Sequence, residues 1–498
     1  MKLISPEDIQ LITPPSSVKA IETALAQNPH LTSLPLPKPD ILSPENLSQN
    51  TPTAEILRHP RVQAAITGDF LVLPCDLVCE LPGESLVEAW MIQQGGLGGA
   101  SLDSDDYKGP RMGLGGETGG RRGGLGVWFE TRGEDSTKGT ETDFMITTSL
   151  RKSPAPAPEG SLRPYISKLL YSSTTDTLRD ITTDKKGFPI RHGLIRKHGK
   201  IKIQTTHRDA HIYLFPYWVL EMIKRNDHFE SISEDVVGWW AKATWQDGLA
   251  SKLHLREIFD PSSASTTSTS ESPDPEPHEN TSYTSSTTDE EKINLASMSS
   301  TQTSNLSTRT TPLASQTIPL FLSYIHPHNP GATSPLIRRV DNPHLLLHTS
   351  LHLASLPPTP EGGGPLSHTL KIASTPSPHT TIHIPTTLVA PNTTIATHAV
   401  IKSSVIGSNC VIEAGARITG SVVMDGVVVG EKSVVQGCIL GRRCVLGGGC
   451  SLRECEVQEG YVVGEGMEAK GERFVVFEGL EEGDGEELGE GEGILVEE

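Results

Sequence analysis

Between residues 384 and 467 the aliphatic side chains recur every seventeen positions, in three interleaved columns. The first column is Val389, Ile406, Val423, Leu440 and Val457, and the second is Ile395, Ile412, Val429, Leu446 and Val463. The third is Ile384, Ile401, Ile418, Val435 and Leu452. Successive columns lie six, six and five residues apart. That spacing predicts a triangular parallel β-helix built from hexapeptide repeats, with one five-residue side per turn.

Strand side chains alternate, so the residue two before each column member faces the same interior. Nearly all of these are small: Thr387, Ser404, Ser421, Cys438 and Cys455; Thr393, Cys410, Val427, Cys444 and Tyr461; Ala399, Ala416, Ser433, Cys450 and Met467. Tiny residues follow several column members, among them Ala390, Ala396, Gly407, Gly430, Gly441, Gly447 and Gly464. Column, small position and corner agree on one register. The register also accounts for five of the seven cysteines as small packing residues. The other two, Cys75 and Cys79, are four apart, and no CxxC pair suggests zinc. Free thiols in a reducing compartment are expected.

The chain has 498 residues and a formal net charge of −19, which argues against a general nucleic-acid-binding surface. About half of that charge lies in residues 478–498, which hold ten Asp or Glu and no Lys or Arg. This Gly-rich tail reads as a solvated end or an acidic docking peptide. No apolar run of about 18 residues and no signal-peptide core occurs, so no membrane span is expected and the reading is cytosolic.

Residues 1–50 read as poorly structured apart from a helix over 18–28. A partial α/β domain is expected over 51–259. Within it the spacing predicts a helix over 53–66, a buried strand Phe70-Leu71-Val72-Leu73 of the kind found in parallel sheets, and a helix over 84–94. Residues 95–126 contain thirteen glycines but no GxxxxGK[ST] spacing, and are read as a loop. Leu194-Ile195-Arg196 and Ile201-Lys202-Ile203 predict a hairpin around Gly199. A strand over 210–215 and an amphipathic helix over 217–226 follow. Ser231 and Glu234 have capping-box spacing before Trp239, Trp240 and Trp245, which read as core. Lys185, Lys186, Arg191, Arg196 and Lys197 form either a solvated face or a phosphate grip. Ser and Thr make up 25 of residues 261–310, so 260–317 reads as a disordered insertion. A connecting region over 318–380, the β-helix over 381–470 and an acidic tail over 471–498 complete the layout.

This layout resembles the sugar-nucleotide pyrophosphorylases and their relatives. Thr51-Pro52-Thr53-Ala54, a helix, and Phe70-Leu71-Val72-Leu73-Pro74-Cys75-Asp76 are similar to that family's Gly-Thr-Ala, helix, strand, Gly-Asp passage. The resemblance implies a nucleotidyltransferase-like, Rossmann-like fold in which Asp76 stands at the position of a magnesium ligand. Pro52 and Pro74-Cys75 depart from the pattern, and the opening strand with its GxGTR triphosphate loop is missing. Leu36-Pro37-Lys38-Pro39 matches a later family motif only locally. Without the opening strand, the expectation is either a start placed too late or a domain partly unfolded alone.

Closer similarity is carried by Pro74-Cys75-Asp76-Leu77, by residues 86–90, by Arg208-Asp209-Ala210-His211-Ile212-Tyr213 and by residues 231–245. These resemble the gamma subunits of eukaryotic translation initiation factor 2B, the fungal ones above all. The resemblance implies a non-catalytic subunit of a guanine-nucleotide exchange factor. Its partners would be an epsilon subunit, the remaining subunits, and initiation factor 2 as substrate. No catalytic residue, cofactor or metal is then expected, and Asp76 would be vestigial. The gamma assignment rests on the sequence stopping at Glu498, without the helical-repeat domain that epsilon subunits add. Two other readings stay open. One is a sugar-1-phosphate nucleotidyltransferase or its regulatory subunit, with Asp76 holding magnesium. The other is a hexapeptide acyltransferase using His398 or His383 as base.

Overall fold

The fold was taken from a computed structural model, which describes residues 9–32, 39–48, 50–93, 123–131, 141–150, 157–188, 190–246, 248–259, 318–327, 335–359 and 366–475. Lys38, the Gly-rich loop up to residue 122, residues 260–317 and the acidic stretch from residue 476 lie outside the described residues.

The predicted columns are the ladders of three parallel sheets. Ile401 pairs with Ile418, Ile418 with Val435, and Val435 with Leu452. The columns beginning at Val389 and Ile395 stack the same way. Every member from Val389 to Val463 is at most 4% exposed, so the three columns form one continuous apolar core. The small positions do more than fill space. Ser404 Oγ accepts from Ser421 N at 3.3 Å, Ser421 Oγ from Cys438 N at 3.1 Å, and Cys438 Sγ from Cys455 N at 3.4 Å. Each side chain thus accepts from the backbone one turn later, which keeps these buried polar atoms satisfied.

Two corners of each turn explain the local composition. At Gly430 a Cβ would lie 2.6 Å from the Gly447 carbonyl carbon, so the close approach of the next coil demands glycine there. Asn392, Asn409, Gly426, Arg443 and Gly460, seventeen apart, occupy a left-handed turn with φ of 59°, 58°, 73°, 55° and 73°. Asn and Gly suit that conformation, and Arg443 adopts it at a cost.

The register differs from expectation at its start. Ile382, not Ile384, pairs with Ile401, and Ile384 is 55% exposed beside a short 3-10 turn. Pro385 in that turn lengthens the first coil by two residues. Ile372 bridges Val389 one turn earlier, so stacking begins before the predicted boundary. At the other end Phe474 is the last rung and packs on Tyr461, with ring centroids 5.8 Å apart.

The other ordered unit is built on a mixed sheet. We label its strands β1 (Phe70–Val72), β2 (Gly124–Glu130), β3 (Asp143–Ser149), β4 (Ile166–Thr174), β5 (Lys202–Phe215) and β6 (Phe321–Ile325). Their order is β1-β5-β2-β6-β4-β3, and a further β5–β3 pairing closes the last five into a ring. Only β2 and β6 pair in parallel. The expected parallel sheet around Phe70 is therefore corrected: β1 is an antiparallel edge strand on β5, with no second neighbour among the described residues. Its side chains still alternate, Phe70 and Val72 toward one core and Leu71 toward the other, because helices cover both faces.

We label five helices α1 (Gly83–Gln93), α2 (Thr175–Lys185), α3 (His192–Lys197), α4 (Trp218–Arg225) and α5 (Pro343–Ser355). Leu86, Ala89 and Trp90 of α1 pack on one face of the sheet, and α4 and residues 232–259 on the other. The helix expected over 53–66 is two helices, Thr53–Arg58 and Pro60–Ala65, because His59 precedes proline and is extended at ψ 131°. The expected hairpin around Gly199 is also corrected. Leu194 is buried from helix α3, and the chain then enters β5 directly.

Two boundaries shift. Phe321–Ile325 lies in the sheet between β2 and β4, and Ile337–Arg339 pairs with Leu77–Cys79, so the supposed connecting region belongs largely to this unit. Gln10–Ile12 and Asp40–Leu42 form a small parallel ladder around the helix Val18–Gln27, where composition suggested little structure. Pairing between distant segments decides both cases, and composition carries no record of it.

Candidate functional site

Asp76 follows β1 and opens the strand Leu77–Cys79, whose antiparallel partner is Ile337–Arg339. Val340 N donates to the Asp76 carbonyl at 2.8 Å. This pairing places the Arg339 guanidinium on the Asp76 carboxylate, with Nε 3.1 Å and Nη2 2.9 Å from Oδ2. Both side chains are largely buried, at 15% and 17% exposure. The other oxygen, Oδ1, has no hydrogen-bond partner among the described residues.

The network extends from there. Arg208 forks onto Asp341 through both terminal nitrogens. Arg339 lies 4.0 Å from the same carboxylate. Its Nη1 is 3.3 Å from Nε2 of His211, whose φ of 53° turns the chain at that point. Burial first, and then Arg339, pushes the His211 imidazole down to about 4, so the ring is neutral and accepts from Arg339. Beneath them lie Asp143 and Asp209. Asp209 N donates to Asp143 Oδ2 at 2.5 Å, and the Tyr213 hydroxyl donates to Asp209 Oδ2. Desolvation and the neighbouring Asp143 raise the Asp209 carboxyl to about 8, and desolvation raises Asp143 as well.

These residues do not fit a magnesium ion. A hard cation needs several oxygen ligands at octahedral positions. Here one oxygen of Asp76 is open and a guanidinium holds the other, Arg208 and Arg339 hold the Asp341 carboxylate, and burial pushes the Asp143 and Asp209 carboxyls toward the protonated form. No group of three or more His, Cys, Asp or Glu suited to a metal occurs among the described residues.

Sequence reading found Asp76 and the Arg208-to-Tyr213 string but missed Arg339, Asp341 and Asp143. Ile337-Arg338-Arg339-Val340-Asp341 shows no two-residue alternation, and nothing local points to Asp76. The other predicted residues scatter. His398 stacks on His379, with centroids 5.7 Å apart, while His383 Nδ1 lies 2.8 Å from Thr386 Oγ1. Lys185, Lys186, Arg191 and Arg196 are exposed, and Lys197 donates to the Trp245 carbonyl at 3.0 Å. The tryptophans are core: Trp240 donates to Pro319 O and Trp245 to Leu170 O. The capping-box reading is half met. Ser231 Oγ accepts from Glu234 N at 3.4 Å, but Asp235 supplies the return contact to Ser231 N at 2.9 Å.

The outer faces of the solenoid differ in kind. One carries Lys402, Arg417, Gln436, Arg453 and Lys470, all exposed. A second carries Leu388, Val405, Val422 and Ile439, and α5 packs on it, leaving Val422 only 7% exposed. The third carries Val411, Val428, Val445 and Val462 in register, with Val411 38% and Val462 67% exposed. Val428 and Val445 between them are partly buried.

The family described as "EIF2B subunit epsilon LbH domain" matches residues 376–469, which is the solenoid. The solenoid is a left-handed β-helix of the eIF2B type. Among curated proteins, translation initiation factor eIF2B subunit gamma of Schizosaccharomyces pombe (strain 972 / ATCC 24843) is 27% identical over 92 residues. That alignment covers 18% of this chain and 19% of the relative, so the chain matches about a fifth of that protein's length. The eIF2B-type β-helix is joined to a mixed α/β region, and no described helix is long and apolar enough to cross a membrane.

Proposed function

We propose that this protein is a non-catalytic, gamma-type subunit of the translation initiation factor 2B exchange complex, working in the cytosol with an epsilon subunit and the other subunits. The observation that carries this reading is the union of an eIF2B-type β-helix with an α/β domain whose Asp76 is neutralised by Arg339. Asp76 is then vestigial, and no cofactor or metal is required. An exchange factor acts by binding the nucleotide-free state of its target better than the loaded state. This chain contributes surface to that differential binding to initiation factor 2, and no bond-making step.

The outward valine ladder suits assembly. Each valine that a partner covers contributes up to about 1.5 kcal/mol, and α5 already covers the matching ladder on the neighbouring face in this way.

Affinity purification of the tagged full chain tests the proposal. Recovery of an epsilon-like subunit and of initiation factor 2 is expected, and absence of both refutes it. Val428→Asp with Val445→Asp is expected to reduce that recovery at least about tenfold without unfolding the outward-facing sheet. Magnesium-dependent turnover of a sugar 1-phosphate and a nucleoside triphosphate would instead establish the nucleotidyltransferase reading.

A further inference from the structure

The chain carries a formal charge of −19, yet residues 185–202 contain seven Lys or Arg and no Asp or Glu. The fold turns this segment into a surface. Helix α2 ends at Lys185, and Lys186, left-handed at φ 54°, reverses the chain. Phe188, Leu194 and Ile201 then point inward, onto a small core of Phe144, Ile146, Leu170 and Trp245. What remains outside is Lys185, Lys186, Arg191, Arg196 and Lys200, together with Ile190 at 44% and Ile195 at 53% exposure. Among the described residues none of these five cations makes an ion pair, although acidic groups outnumber basic ones by 61 to 42 in the chain. Asp184, exposed on the last turn of α2, borders the segment. The half-buried His198 is pushed down to about 4 by desolvation, then by Lys168 and Lys197.

We propose that this basic face is the docking surface for the chain's own acidic stretch, residues 478–498. That stretch has the complementary chemistry: ten carboxylates, no cation, and the apolar run Ile494-Leu495-Val496 to lie on Ile190 and Ile195. It also follows closely on the solenoid. The last rung of the solenoid is Phe474, and 24 residues follow it. A chain of that length can extend to at most about 80 Å. Tethering keeps the effective concentration near the millimolar range, so weak contacts suffice. The docked stretch screens the cationic face from incidental polyanions and yields it to a partner of higher negative charge density. This inference does not depend on the assignment to the exchange complex.

Zero-length carbodiimide cross-linking of the full chain, read by peptide mass spectrometry, tests it. Amide links from Lys185, Lys186 or Lys200 to carboxylates within 478–498 are expected in 50 mM salt. Their yield should fall at least about tenfold in 1 M salt, where the Debye length is about 3 Å. Hydrogen exchange supplies a second readout on a chain of unchanged length, with Glu481→Gln, Glu482→Gln, Asp484→Asn, Glu486→Gln and Glu487→Gln together. Amides over 190–201 should exchange about threefold faster in that variant. No link to 478–498, together with identical exchange in the two chains, overturns the proposal. So does a single-stranded RNA that protects these lysines equally in both chains, since a docked acidic stretch must compete with it.

Discussion

The guanidinium of Arg339 sits 2.9 Å from a carboxylate oxygen of Asp76, 263 positions away in the chain. Because both groups are mostly out of water, the pair is balanced only while both charges are present. Arg339→Met leaves the Asp76 charge largely buried beside an apolar side chain. It should destabilise the α/β domain by about 3 kcal/mol, read by denaturant titration of tryptophan fluorescence. Adding Asp76→Asn to that variant should recover part of the loss. Equal stability of the single and double variants would show that the unpaired Asp76 charge carries no penalty.

Asp209 makes stability depend on pH. Its carboxyl titrates at about 8 in the folded protein, against an ordinary value of 3.8, chiefly because it is buried. Between these values the folded chain holds more protons than the unfolded one, so the contribution is complete below pH 4 and is lost as pH rises toward 8. Asp209→Asn keeps the shape without the titration. The wild type should lose stability from pH 5 to pH 8 relative to this variant, as followed by thermal unfolding. Parallel curves would count against a protonated Asp209.

Gly430 and Gly464 occupy equivalent corners two coils apart but have different surroundings. A Cβ on Gly430 would lie 2.6 Å from backbone of the next turn, whereas one on Gly464 meets nothing within 4 Å among the described residues. Gly430→Ala should therefore cost about 1–3 kcal/mol. Gly464→Ala should change stability by less than about 0.5 kcal/mol. Thermal melts of the two variants make the comparison internal.

The seven cysteines should fall into distinct reactivity classes. Cys75 is exposed, Cys79 is partly covered with its thiol pushed up by burial, and five are buried in the solenoid. Burial raises Cys438 to about 11 and Cys444 to about 12, leaving little thiolate at neutral pH. A maleimide reagent should label Cys75 within minutes, and the five solenoid thiols only after denaturation. Rapid labelling of Cys438 in the native protein would contradict the packed ladder.

Sequence alone determined the solenoid, because each rung contacts the rung seventeen residues away and the interior accepts only certain sizes at fixed positions. A periodic structure writes its register into the chain. It failed at Ile384, where a single proline-containing turn breaks the period, and it did not show that α5 would cover one aliphatic face and leave the other open. In the α/β unit tertiary structure decided most of what matters. Leu194 could sit on a strand or on one turn of helix, and only its burial against Phe144 and Trp245 selected the helix. The place of Phe321 in the sheet, and the joining of Arg339 to Asp76, depend on pairings across more than 190 residues. Such contacts are fixed by the total free energy of the packed unit, to which no short window of sequence corresponds.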